Sequence, residues 1–108
     1  MIKHIHMDDI KEQVVKYHVV IVKFGADWCA PCYQMIPELE KVIRARPTVI
    51  VFDVDVDKSE DAWKQYNISG VPTCFCYKNG KRVGERLVGG HMMNDILEWI
   101  DGCLQDEN

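Results

Sequence analysis

Two cysteines separated by two residues, in the segment Trp28-Cys29-Ala30-Pro31-Cys32, are the chemistry-bearing feature of this 108-residue chain. Sulfurs at that spacing can close a disulfide across one turn of backbone and open it again by thiol–disulfide exchange. The flanking elements set their roles. Val19 to Phe24 is a nearly continuous β-branched and apolar run, which predicts a strand buried on both faces. Beyond the cysteines, Met35, Ile36, Leu39, Val42 and Ile43 recur at helical spacing. Cys29 therefore falls at a helix N-terminus and Cys32 about one turn inside. Unpaired N–H groups and the positive end of the helix dipole favour an anion there, so Cys29 is the expected nucleophile. Cys32, a turn deeper and less exposed, is the expected resolving thiol. Pro31 has no N–H to leave unpaired in the first turn, and Ala30 favours helix without adding bulk.

The rest of the composition limits what such a pair can serve. The length suits one domain, 1–108, and the apolar fraction of 47% is ordinary for a globular core. A net charge of −4 argues against nucleic acid or an anionic membrane as partner. There is no apolar run near membrane-spanning length, and the opening MIKHIHMDD lacks the apolar stretch of a secretory signal. The expectation is a cytoplasmic protein in a reducing compartment. Five cysteines then read as one redox pair and three separately explained thiols.

Taken in order, Ile2 to His6 suits a short edge strand and Asp8 a cap for a short helix through Ile10, Val14 and Tyr17. His4 and His6 alternate with apolar residues; without further partners they make a poor metal pair. Pro37 should kink the motif helix, and Pro47, after Arg44 and Arg46, should end it. Thr48 to Asp57 alternates as a strand, with Ile50, Phe52, Val54 and Val56 on one face and Asp53, Asp55 and Asp57 on the other. Carboxylates in a line form no cage for Ca²⁺ or Mg²⁺, so no metal site is expected. Ser59 should cap a short helix with Trp63 and Tyr66 inward. Cys74 to Lys78 and Lys81 to Val88 form a hairpin about Asn79-Gly80, loosened by Gly84. A last helix runs from about Met92 to Leu104, and Gln105 to Asn108 reads as a polar tail.

The WCAPC motif after a buried strand, Gly70-Val71-Pro72-Thr73 some forty residues on, the Lys78-Asn79-Gly80 hairpin and Gly89 together resemble the thioredoxin family over essentially the whole chain. That resemblance implies an α/β fold, the thioredoxin fold, with a central mixed sheet of about five strands flanked by about four helices. It implies a dithiol–disulfide oxidoreductase that reduces partner proteins through a reversible Cys29–Cys32 disulfide. Such a protein binds no cofactor, takes electrons from NADPH through a flavoprotein reductase, and works as a monomer. Pro72 is then a cis proline against the cysteines. Trp28, Ala30, Pro31, Gly70, Val71, Pro72 and Gly89 form a substrate platform, and the Trp28 indole bonds Asp57.

One position departs from that pattern. Where the family buries an aspartate six residues before the first cysteine, this chain has Lys23, and the position facing it is Asp53. A buried lysine needs a partner, so the expectation is an inner ion pair that keeps the proton relay with reversed geometry, Asp53 reaching the Cys32 sulfur through water. The alternative is two solvent-facing side chains that relay nothing. Cys74 and Cys76 share a strand face and suit core packing; ligation of a metal or iron–sulfur centre with Cys29 and Cys32 is the other reading. Cys103 is placed on the last helix, where exposure would permit an intermolecular disulfide. Two rivals stand against the reductase: a non-catalytic interaction module like the spliceosomal thioredoxin-like proteins, and a disulfide oxidant or isomerase.

Overall fold

In the computed structural model, which describes residues 1–105, five strands form one sheet in the order β1-β3-β2-β4-β5. They are β1 (Ile2–His4), β2 (Val19–Gly25), β3 (Val49–Asp55), β4 (Thr73–Lys78) and β5 (Lys81–Val88). Strands β1 and β2 both run parallel to β3, while β4 is antiparallel to β2 and β5. The helices are α1 (Ile10–Val14), α2 (Ala30–Ala45), α3 (Ala62–Gln65) and α4 (Met93–Gln105). Parallel strands need crossover connections, and the helices supply the cover for both faces of the sheet.

Strand β2 lies at the centre and explains why its sequence is apolar on both sides. Val20, Val22 and Phe24 pack with Phe52, Val54, Phe75 and the α1 residues Ile10 and Val14. Val19 and Ile21 pack on the other face with Met35, Leu39 and Val42 of α2 and Ile96 and Ile100 of α4. Aspartates 53 and 55 alternate with these apolar positions in β3, as the sequence predicts.

Several boundaries differ from the sequence reading. Strand β3 stops at Asp55, not Asp57, because the Asp55 side chain accepts the Asp57 N–H at 2.8 Å and turns the chain. Strand β1 stops at His4. His6 rather than Asp8 is the cap, its Nδ1 accepting from the Asp8 N–H and starting a 3₁₀ turn. Ser59 does not cap α3: its Oγ accepts the Met7 N–H at 3.1 Å, and Asp61 takes the cap position. Helix α2 continues through Pro37, which lies exposed where water can take the carbonyl its missing N–H leaves free. The polar tail proves partly helical, since Gln105 closes α4; residues 106–108 lie outside the described residues.

The hairpin is as the sequence dictates. Asn79 and Gly80 both hold positive φ, 51° and 85°, the pairing that a tight two-residue turn demands.

Candidate active site

Cys29 is the N-cap of α2, its backbone extended and its Sγ accepting the Cys32 N–H at 3.2 Å. The sequence folds this way because β2 ends at Gly25 and the chain enters helix at Ala30-Pro31, where a proline costs no hydrogen bond. Cys29 and Cys32 are joined in a disulfide, their Cα atoms 5.3 Å apart. When the bond opens, the amide and the helix end remain directed at the Cys29 sulfur and favour its thiolate.

Exposure does not separate the two cysteines as expected, since Cys29 is 4% and Cys32 3% accessible. What separates them is which way each looks. The Cys29 Sγ lies 3.6 Å from the Val71 carbonyl oxygen, toward the platform. Cys32 instead forms part of the wall of a cleft of about 650 Å³ behind the disulfide.

The platform residues come together from separate loops. Val71–Pro72 is a cis peptide, as the family resemblance implies. The Pro72 carbonyl accepts the Gly89 N–H at 2.8 Å, and a Cβ on Gly90 would sit 3.4 Å from the Pro31 Cβ. Thr73 Oγ1 donates to the Gly70 carbonyl at 2.7 Å and fixes the turn before the cis bond. Trp28 stands 65% exposed while its Nε1 donates to Asp57 Oδ2 at 2.9 Å, so an apolar ring is held upright at the surface.

Lys23 and Asp53 are neighbours in the parallel register of β2 and β3, and the pair forms: Nζ lies 3.4 Å from Oδ1. Lys23 is 2% exposed, which removes the solvent-facing alternative. A Cβ on Gly25 would sit 3.4 Å from both Lys23 Nζ and Cys32 Sγ, so the ammonium is held within about twice that distance of the resolving sulfur. The second Asp53 oxygen lies 3.5 Å from His4 Nδ1. Gly25, which lets the two groups approach, is a position that the sequence reading misses. A glycine inside a buried strand marks a close approach, and that is the signal by which it could be found.

Cys74 faces Lys23 across the β2–β4 ladder, and it and Cys76 sit in the apolar core. Burial pushes each thiol up to about 12, outweighing the nearby Lys23 charge in the case of Cys74, so neither is a thiolate at neutral pH. Cys103 is 3% exposed, which overturns the reading of an intermolecular disulfide there. Among the described residues no cluster of His, Cys, Asp or Glu has the arrangement of a metal site, and no helix is long and apolar enough to cross a membrane.

Comparison with known proteins matches this geometry. The family described as Thioredoxin matches residues 1–102. The thioredoxin of Chlamydia trachomatis is 37% identical over 82 residues, covering 76% of this chain and 79% of that one. The thioredoxin of Chlamydia muridarum is 34% identical over 100 residues, covering 93% and 96%. Among solved structures, oxidised mitochondrial thioredoxin 3 from Saccharomyces cerevisiae superposes with a TM-score of 0.82 at 27% identity, covering 94% of each chain. Plasmodium falciparum thioredoxin does so with 0.80 at 28%, covering 93% of this chain and 97% of that one. With the Cys29–Cys32 disulfide at the head of α2, these matches favour neither the interaction module nor the oxidant or isomerase. The chain belongs to the thioredoxin family and is a dithiol–disulfide oxidoreductase whose redox-active pair is Cys29 and Cys32.

Proposed function

We propose that this oxidoreductase acts as a cytoplasmic, monomeric reductant of protein disulfides, recharged by a flavoprotein reductase that draws on NADPH and needing no bound cofactor of its own. The Cys29 thiolate attacks one sulfur of a substrate disulfide. That bond breaks, one substrate sulfur leaves as thiolate, and the other is held in a mixed disulfide with Cys29. Cys32 then attacks the Cys29 sulfur, the second substrate sulfur leaves, and the 29–32 disulfide closes. Two electrons pass to the substrate.

The platform of Trp28, Ala30, Pro31, Gly70, Val71, Pro72 and Gly89 receives an extended substrate segment beside the Val71 carbonyl. Lys23 and Asp53 manage the proton of the resolving thiol: the ammonium favours the Cys32 thiolate during attack, and Asp53 exchanges protons with water in the rear cleft.

The observation that carries this reading is the Cys29 sulfur at the helix N-terminus, aimed at the Val71 carbonyl and receiving the Cys32 amide. Its test is insulin reduction driven by NADPH and a thioredoxin reductase. Multiple turnovers that vanish in Cys29→Ser are expected. Equilibration with glutathione that leaves the pair reduced under oxidising ratios would instead identify an oxidant.

A further inference from the structure

Three cysteines lie outside the redox pair, and two of them meet. Cys76 of β4 faces Val83 of β5. The next residue, Gly84, has φ +68° and approaches α4 so closely that a Cβ on it would lie 2.5 Å from the Cys103 Sγ. Between Cys74 and Cys76 the register with β5 jumps from Leu87 to Val83, so a bulge carries Gly84 to the helix. The absent side chain admits Cys103 beside Cys76. Burial, then the charge of Cys103 and a hydrogen bond with it, push the Cys76 thiol up to about 12.

Of the two, only Cys103 lines a surface cleft. Cys76 is 1% exposed within the strand. Cys103 contributes to the wall of a cleft of about 560 Å³ formed with Gly84, Glu85, Trp99, Gly102 and Gln105. Its Sγ lies 3.8 Å from the Glu85 carbonyl oxygen, and the two glycines put no side chain across the approach.

We propose that Cys103 and Cys76 are a second dithiol of this protein, oxidised by a small hydroperoxide entering that cleft. Cys103 attacks one oxygen of hydrogen peroxide and gives up its thiol proton, the O–O bond breaks, and a sulfenic acid forms with release of water. Cys76 then attacks the sulfenic sulfur, the S–S bond forms, and the oxygen leaves as water. Two thiols and one peroxide give one disulfide and two waters, the thiol protons ending in the waters. The inner thiol is hard to ionise, so this step is slow and comes after closure of Cys29–Cys32. The bridge ties α4 to β4 through residues that the exchange reaction does not use.

The test is thiol counting on the full, folded chain. Protein reduced with dithiothreitol and freed of it is exposed to hydrogen peroxide at neutral pH, quenched with N-ethylmaleimide in denaturant, and weighed intact. Five adducts fall first to three and then to one, on Cys74, and dithiothreitol returns all five. Chymotryptic cleavage after Phe75 separates Cys74 from Cys76 and identifies the Cys76–Cys103 cross-link. Cys103→Ser starts at four adducts and stops at two, on Cys74 and Cys76, with insulin reduction within about twofold of wild type. Persistence at three adducts in the wild-type chain, sulfinic or sulfonic acid on Cys103 without a bridge, or a Cys74–Cys103 bridge each overturns the proposal.

Discussion

Lys23 Nζ stands 3.4 Å from Asp53 Oδ1 at the wall of the cleft that also reaches the rear of Cys32. The pair is buried on the lysine side and partly open on the aspartate side, 2% against 14%. Asp53→Asn leaves the ammonium without a counter-charge and should cost about 2 to 4 kcal/mol, somewhat less than for a fully buried pair. Replacing both, with Lys23→Met and Asp53→Leu, should cost no more than about 1 kcal/mol, because apolar side chains of like volume need no counter-charge. Stability is read by urea unfolding and the relay by the pH profile of insulin reduction. A double variant that keeps the wild-type pH profile would show that the pair holds the fold and moves no proton.

The division of labour between the cysteines predicts unlike outcomes for like substitutions. Cys29→Ser should abolish turnover. Cys32→Ser should retain attack and accumulate a mixed disulfide, since nothing remains to resolve it. Alkylation of the reduced protein at neutral pH should strike Cys29 well before Cys32, Cys74 or Cys76. Equal rates at Cys29 and Cys32 would remove the argument from the helix terminus.

Two carboxylates tie α2 to α4. Arg46 donates to both Asp101 oxygens at 2.8 and 3.0 Å, and this bond holds the Asp101 carboxyl below its ordinary range. Glu38 is held below its range first by a hydrogen bond from Lys41 and then by the Met93 N–H at the head of α4. Both folded values lie below the unfolded ones, so the stabilisation is present above the ordinary carboxylate range and fades as pH falls through the lowered values. Asp101→Asn should therefore cost about 0.5 to 1 kcal/mol at neutral pH, an exposed bidentate pair being screened by solvent. The gap to wild type should close in acid, once the Asp101 carboxyl is protonated in the folded as well as the unfolded chain. A gap that persists in acid would point to packing.

Glycines supply a packing test. Gly84→Ala places a Cβ 2.5 Å from the Cys103 Sγ and 2.8 Å from its Cα, at a φ of +68° that alanine disfavours. A loss of at least about 2 kcal/mol is expected, from strain and overpacking together. Gly102, inside α4 with nothing within 4 Å of a Cβ, should gain about 0.5 to 1 kcal/mol as alanine. Thermal unfolding of the two variants should move in opposite directions.

What the sequence determined by itself is what local pattern and local chemistry control. The apolar run at Val19 to Phe24, the helical spacing after Cys32 and the Asn79-Gly80 turn each announce their element, because backbone geometry and burial act within a few residues. The placement of Cys29 at a helix start obeys the same short-range rules, and it carries the reaction. Boundaries and caps needed the fold: Ser59 looks like a helix cap until Met7, far off in the chain, takes its hydroxyl.

Tertiary structure alone decided where charges and thiols stand relative to one another. Lys23 is held near the Cys32 sulfur and paired with Asp53 because strand register and the bare Gly25 fix their reach. Cys103 is inside because the β5 bulge brings Gly84 against α4, a contact between residues distant in sequence. No local pattern encodes such a meeting; it exists only once the sheet is closed over by its helices.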